Sequence, residues 1–78
     1  MTVVSATSAT LTTITADCTS IGHAIGGGLS SPAKNLEGSF PSTAGGVAAA
    51  NGSTNPKAWT AVFSAAAIGQ TVYALCVP

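Results

Sequence analysis

The chain has 78 residues, and only two acidic and two basic side chains give it a formal net charge of zero. A chain of this length forms one domain, so residues 1–78 are expected to fold around a single small core. Its two lysines, without any arginine, argue against binding to nucleic acid or to an anionic membrane surface, because such proteins neutralise several phosphates. No apolar run approaches the roughly 18 residues that span a bilayer.

Low charge here does not indicate disorder, because 46% of the residues are hydrophobic. A neutral surface gives little colloidal protection, since net charge normally keeps small proteins apart. Such a surface suits a protein held in an assembly or outside cells better than a free cytoplasmic domain.

The N-terminal region is rich in Thr, Val, Ser and Ala, which favours strands because β-branched side chains have restricted χ1 angles. Ile14, Ala16 and Cys18 share one face of an alternating pattern, which is typical of a half-buried strand. Leu11 has the wrong parity for that face. The pattern therefore predicts a bulge near Thr12 or a break into two strands.

The C-terminal segment TVYALCV alternates with apolar residues on both faces and is predicted to be a central strand. Before it, AWTAVF combines Trp, Thr, Val and Phe, which favours a strand through Phe63 and a turn ending at Gly69. The Ala-rich run from 58 to 68 leaves a helix as the alternative.

Between these ends, a short strand is predicted around Leu36 to Phe40, with Pro41 at a strand end or sheet edge because proline cannot donate to a ladder. Turns are predicted at SSPAKN and at Asn51-Gly52. Short strands at roughly ten-residue spacing predict an all-β fold, a small antiparallel β-sandwich or partly open barrel.

Cys18 ends the N-terminal strand region and Cys76 lies two residues from the C-terminus, so a bridge between them would close most of the chain into one loop. A bridge between them would contribute about 4 kcal/mol by the loop-entropy model. A structural disulfide is favoured over two buried thiols, and a metal or redox site is disfavoured because no CxxC spacing accompanies them. Disulfides persist in oxidising surroundings, so the expected location is a virion surface or the extracellular space.

The stretch CTSIGHAIGGGLSS contains three consecutive glycines and raises the question of phosphate binding. A phosphate-binding P-loop requires a lysine where Gly28 stands, and the GxGxxG dinucleotide pattern ends at Ser31. The favoured interpretation is that the glycines let the chain pass close to a bulky neighbour such as Trp59, or adopt positive φ at a bend. No cofactor is expected.

Histidine could act as a general base, and His23 has only Asp17 and Glu37 as candidate carboxylate partners. Neither a hydrolase triad nor a glycosidase carboxylate pair is marked by flanking residues, so no catalytic residue and no metal ligand is assigned. Trp59 and Tyr73 could stack on a sugar ring, but in a chain with four aromatic residues they are expected to serve the core first.

The chain combines VVSATSAT at its start with Cys18, AIGGG from Ala24, LEGSFPS, NPKAWTAVF and TVYALCVP. This combination resembles a small cysteine-bridged β module of actinobacterial surface proteins and of the tail-fibre, collagen-like and virion proteins of their bacteriophages. The resemblance covers nearly the whole chain, although Thr19, Ser20 and Ile21 replace a Pro-Ala-Gly that often follows the first cysteine in that family.

The resemblance implies a structural or adhesive role on a virion or cell exterior. We expect a non-enzymatic phage virion module, either a capsid decoration or a fibre tip, associated with itself, for example as a trimer, or with a larger virion protein. The alternative is a secreted bacterial module that binds glycan or mediates adhesion. An initiator methionine without a signal sequence fits a virion protein released by lysis, or a fragment of a secreted chain.

Overall fold

The computed structural model describes Met1–Pro78 as six strands without a helix, so no helix is long and apolar enough to cross a membrane. The strands form two antiparallel three-stranded sheets, the first ordered β1-β6-β3 and the second β2-β5-β4. The predicted all-β fold is confirmed, and because the sheets stay separate it is a sandwich rather than a barrel. The strands are β1 (Thr2–Thr7), β2 (Thr13–Asp17), β3 (His23–Ser30), β4 (Leu36–Ser42), β5 (Ala58–Phe63) and β6 (Thr71–Val77).

The N-terminal region breaks into two strands, as the parity of Leu11 predicted. Strand β1 ends at Thr7 and joins the first sheet, whereas β2 begins at Thr13 and joins the second. Ile14, Ala16 and Cys18 are buried, which confirms the predicted inward face. The turn between β1 and β2 thus carries the chain from one layer of the sandwich to the other.

Strand β6 is the centre of the first sheet, and β5 is the centre of the second. The prediction of a central C-terminal strand is confirmed, and so is the end of β5 at Phe63. The following turn ends at Gly69, which has φ +86°, a conformation that glycine adopts readily. The Ala-rich run forms a strand and a turn because the inward Ala61 and Phe63 face the core.

Strand β3 was not predicted as a strand, because glycine has low β propensity. It nevertheless pairs with β6 along its length, with a bulge between Ala24 and Gly26. The three glycines from Gly26 to Gly28 do not adopt positive φ, so the bend interpretation is wrong for them. Pairing with β6 and packing against the second sheet therefore outweigh the low strand propensity of the three glycines.

Residues 43–57 fold back along β4 and over part of the outer face of the second sheet, where Gly46 lies against the hydroxyls of Thr15 and Thr60. Ser42 forms an isolated bridge with Ala48, and the Ala49 N–H donates to the Pro41 carbonyl at 2.9 Å. This cover buries Ser42 and Thr60 completely. Strand β4 is an edge strand, as Pro41 predicted, and it runs two residues beyond the predicted Phe40.

Candidate functional site

A disulfide joins Cys18 to Cys76, as the sequence predicted, with 5.5 Å between the Cα atoms. Cys18 follows β2 in the second sheet and Cys76 lies in β6 of the first, so the bond connects the two layers. Both residues are fully buried in the core cluster. The disulfide is therefore a covalent connection between sheets that solvent does not reach in the folded state.

Within the glycine stretch, Gly27 packs directly against the side chain of Trp59. A Cβ atom placed on Gly27 would overlap the indole ring of Trp59, so only glycine fits beneath that ring. This confirms the predicted close approach to Trp59. Gly28, one residue later, points to the other side of β3, and a Cβ there would have no heavy atom within 4 Å. The stretch lies in a paired strand and forms no loop before a helix, which is what phosphate loops require.

Trp59 lies on the inner side of β5, half-buried and packed against the core. Its indole Nε1 donates to the Ser39 Oγ at 2.9 Å on the neighbouring strand β4. One ring surface is taken by Gly27 and the indole donor by Ser39. Trp59 thus has little freedom to act as a stacking surface.

Tyr73 lies on the opposite side of the first sheet, with 39% of its surface exposed. It pairs with Ser5 of β1 on one side and with Gly28 of β3 on the other. Because Gly28 carries no side chain, the Tyr73 ring stands beside an uncovered strip of backbone. The structure therefore separates the two aromatic candidates, one inside the sandwich and one outside.

Tyr73 belongs to a surface that we call the open face, the outer side of the first sheet. The open face contains an apolar strip, in which Val3 is 60% exposed and Leu75 is half-buried beside it. No segment folds over it as residues 43–57 fold over the second sheet. The members of the open face are Val3, Ser5, Thr7, His23, Gly26, Gly28, Ser30, Thr71, Tyr73, Leu75 and Val77.

The alternation of TVYALCV indicated the apolar outer residues of β6, but sequence reasoning did not identify the open face as a surface. The open face is exposed because residues 43–57 pack on the second sheet and not on the first. That packing is a tertiary contact, which local sequence patterns do not contain. The only earlier signal was that both faces of this strand are apolar.

The remaining candidates do not come together. Asp17 accepts hydrogen bonds from the N–H and hydroxyl of Thr19, at 2.9 and 2.5 Å, and so completes a local turn. His23 begins β3, and Glu37 lies at the bulge of β4. No three His, Cys, Asp or Glu side chains converge as a group that could hold a metal ion.

A shallow cavity of about 400 Å³ is lined by residues between the end of β4 at Ser42 and Lys57, which precedes β5. Alanines, hydroxyl side chains, Asn55, Pro56 and Lys57 line it. The Lys57 amine donates to the Gly22 carbonyl at 3.1 Å, so the only cation there already has a partner. No aromatic ring lines this cavity.

No protein-family model matches the chain, and neither a curated protein nor a solved structure matches it.

Proposed function

We propose that the chain is a non-enzymatic structural module on the exterior of a phage virion, as a capsid decoration or a fibre tip. The observation that carries the proposal is the buried disulfide between Cys18 and Cys76, which links the two layers. A bond of this kind persists outside the reducing cytosol. In a small domain it supplies a large share of the stability that particle exteriors require.

The surface chemistry supports the same role. With two acids and two bases, the chain presents hydroxyls, amides and glycine to solvent rather than charge. Such a protein has little long-range attraction to nucleic acid or lipid headgroups. The apolar strip on its open face offers contact to a larger virion protein or to another copy of the chain.

The test is to locate the chain in fractionated lysate from a host that produces it. Gradient-purified particles should contain its peptides with Cys18 and Cys76 still linked by a disulfide. An amine-reactive label applied to intact particles should modify Lys34, which is exposed. Recovery of the chain only from the soluble cytosolic fraction, with both cysteines open to alkylation, would contradict the proposal.

A second candidate is a secreted bacterial module that binds glycan, and the exposed Tyr73 ring beside Gly28 favours it. Aromatic rings that stand free on a sheet are suited to stacking on apolar sugar faces. A glycan array should then show saturable binding that Tyr73→Ala abolishes. The matched control is Val3→Ala, which shortens a side chain on the same face and leaves the ring. Absence of binding, or equal loss in both variants, would remove this candidate.

A further inference from the structure

The sandwich has four edge strands, and three of them carry features that block pairing with another strand. Strand β2 has five residues and ends in the charged Asp17. Strand β3 has a bulge at Ile25, and β4 contains a bulge at Glu37 together with Pro41. Only β1 lacks such features, since TVVSAT has no charge and no proline and pairs with β6 in unbroken register.

Three residues of β1 direct their backbone hydrogen-bonding groups to the unpaired edge of the sheet, away from β6. The Ser8 N–H donates to the Gln70 carbonyl at 3.3 Å, which fixes the phase of the ladder with β6. Antiparallel ladders alternate, so Val3, Ser5 and Thr7 direct their N–H and C=O groups away from β6. None of these three backbones makes a hydrogen bond outside the strand ladders.

We propose that β1 pairs antiparallel with β1 of a second copy of this chain, about a two-fold axis at Ser5. In this register Ser5 faces the partner's Ser5, and Val3 faces the partner's Thr7. Every outward backbone group then meets an outward group of the partner, which gives about six hydrogen bonds across the edge. No other register centred on β1 matches all three residues.

The side chains fit the same pairing. Val4 and Ala6 point inward and are only half-buried at the rim of the sandwich, so a second β1 would cover them. The edge carries no charge, and therefore no like charges are brought together. The result is one continuous six-stranded sheet in which two open faces lie side by side.

Two-fold contacts close with two copies, so this pairing gives a dimer and not the trimer expected from the sequence. A six-residue strand is roughly 20 Å long and covers less surface than a standard interface. We therefore expect a weak dimer whose population rises with protein concentration. The pairing does not depend on the proposed virion role, because a secreted module would present the same edge.

The test is sedimentation velocity of the oxidised protein up to a concentration of roughly 1 mM. Wild type should shift from monomer to dimer. Ser5→Lys places like charges directly opposite each other at the axis and should weaken association about fivefold. The matched control is Ser30→Lys, which adds the same charge on the outer side of the same sheet, on the opposite edge strand, and should associate like wild type.

A rescue experiment separates the pairing from general charge repulsion. Ser5→Lys mixed with Ser5→Glu should restore association as a heterodimer, while neither variant alone associates well. Amide exchange should also slow at Val3, Ser5 and Thr7 as wild-type concentration rises. A wild-type chain that remains monomeric throughout, or a dimer that Ser5→Lys and Ser30→Lys affect equally, would overturn the inference. Failure here would leave the location experiment untouched.

Discussion

The indole ring of Trp59 occupies the space that any side chain at position 27 would need. Gly27 is therefore fixed by packing between the sheets, whereas the adjacent Gly28 faces open space. The two residues are neighbours in one strand with the same partner β6, so they form an internal comparison.

We predict that Gly27→Ala destabilises the fold by about 1–3 kcal/mol, the usual cost of an overpacked site, because Trp59 must move. Gly28→Ala should be neutral or slightly stabilising, since it removes backbone entropy from the unfolded chain without a clash. Urea denaturation of both variants measures the difference. Equal destabilisation of the two would show that strand glycines matter here for backbone conformation rather than for the Trp59 contact.

The second prediction concerns the bond between Cys18 and Cys76, which closes a sequence separation of 58 residues. In the loop-entropy model its loss costs about 4 kcal/mol, a large part of the roughly 5–15 kcal/mol typical of domains. Reduction breaks the S–S bond and adds one hydrogen to each sulfur without removing a core side chain, so the unfolding free energies from urea curves with and without reductant should differ by about 4 kcal/mol. The double variant Cys18→Ala/Cys76→Ala is the control, and reductant should leave its curve unchanged. A wild-type curve that reductant does not shift, after thiol assay shows complete reduction, would contradict this.

Alternation and cysteine spacing predicted most of the fold. Residues close in sequence predicted the inward faces of β2 and β6 and the end of β5. The disulfide followed from the presence of two cysteines far apart in the chain. Strand β3 did not follow, because the ring of Trp59 requires glycine at position 27 and glycine lowers the local strand preference. That ring belongs to β5, more than thirty positions away, and no local pattern contains the information.

The candidate site was less predictable than the fold for the same reason. Tyr73 and Trp59 looked equivalent as aromatic residues in strands, yet one lies outside and the other between the sheets. Their difference depends on the register of β6 and β5 and on the segment that covers the second sheet. The sequence also did not indicate that β1 is the one edge strand without a bulge, a proline or a charge, because that comparison requires the strand order of both sheets.

A third prediction concerns buried hydroxyls beneath residues 43–57. The Ser42 hydroxyl donates to the Thr43 carbonyl at 2.9 Å and must therefore accept from the Thr60 hydroxyl, 2.7 Å away. Thr60 in turn accepts from the Thr15 hydroxyl at 2.8 Å. The donor and the acceptor of each hydrogen bond in this series are therefore assigned. Both Ser42 and Thr60 are inaccessible to water.

A double-mutant cycle of Thr60→Val and Ser42→Ala should give a coupling free energy of about 1 kcal/mol, since each variant removes one of the two hydrogen-bond partners of the other's buried hydroxyl. The comparison cycle pairs Thr60→Val with Ser30→Ala on the far sheet and should be additive to within about 0.5 kcal/mol. Coupling that is no larger for Ser42 than for Ser30 would mean that water already satisfies these hydroxyls.

The last prediction concerns Lys34, whose φ of +55° is left-handed and strained for a side chain with a Cβ atom. The other such position holds Asn55, a residue type that tolerates this conformation. Lys34 is exposed in the turn before β4, where its N–H donates to the Ser31 carbonyl at 3.0 Å. Lys34→Gly should stabilise the protein by about 0.5–1 kcal/mol, the left-handed penalty less the added entropy of glycine. Lys34→Ala removes the same charge but keeps the Cβ, so it should stay near wild type in urea. If alanine and glycine stabilise equally, the gain comes from the charge and the strain argument fails.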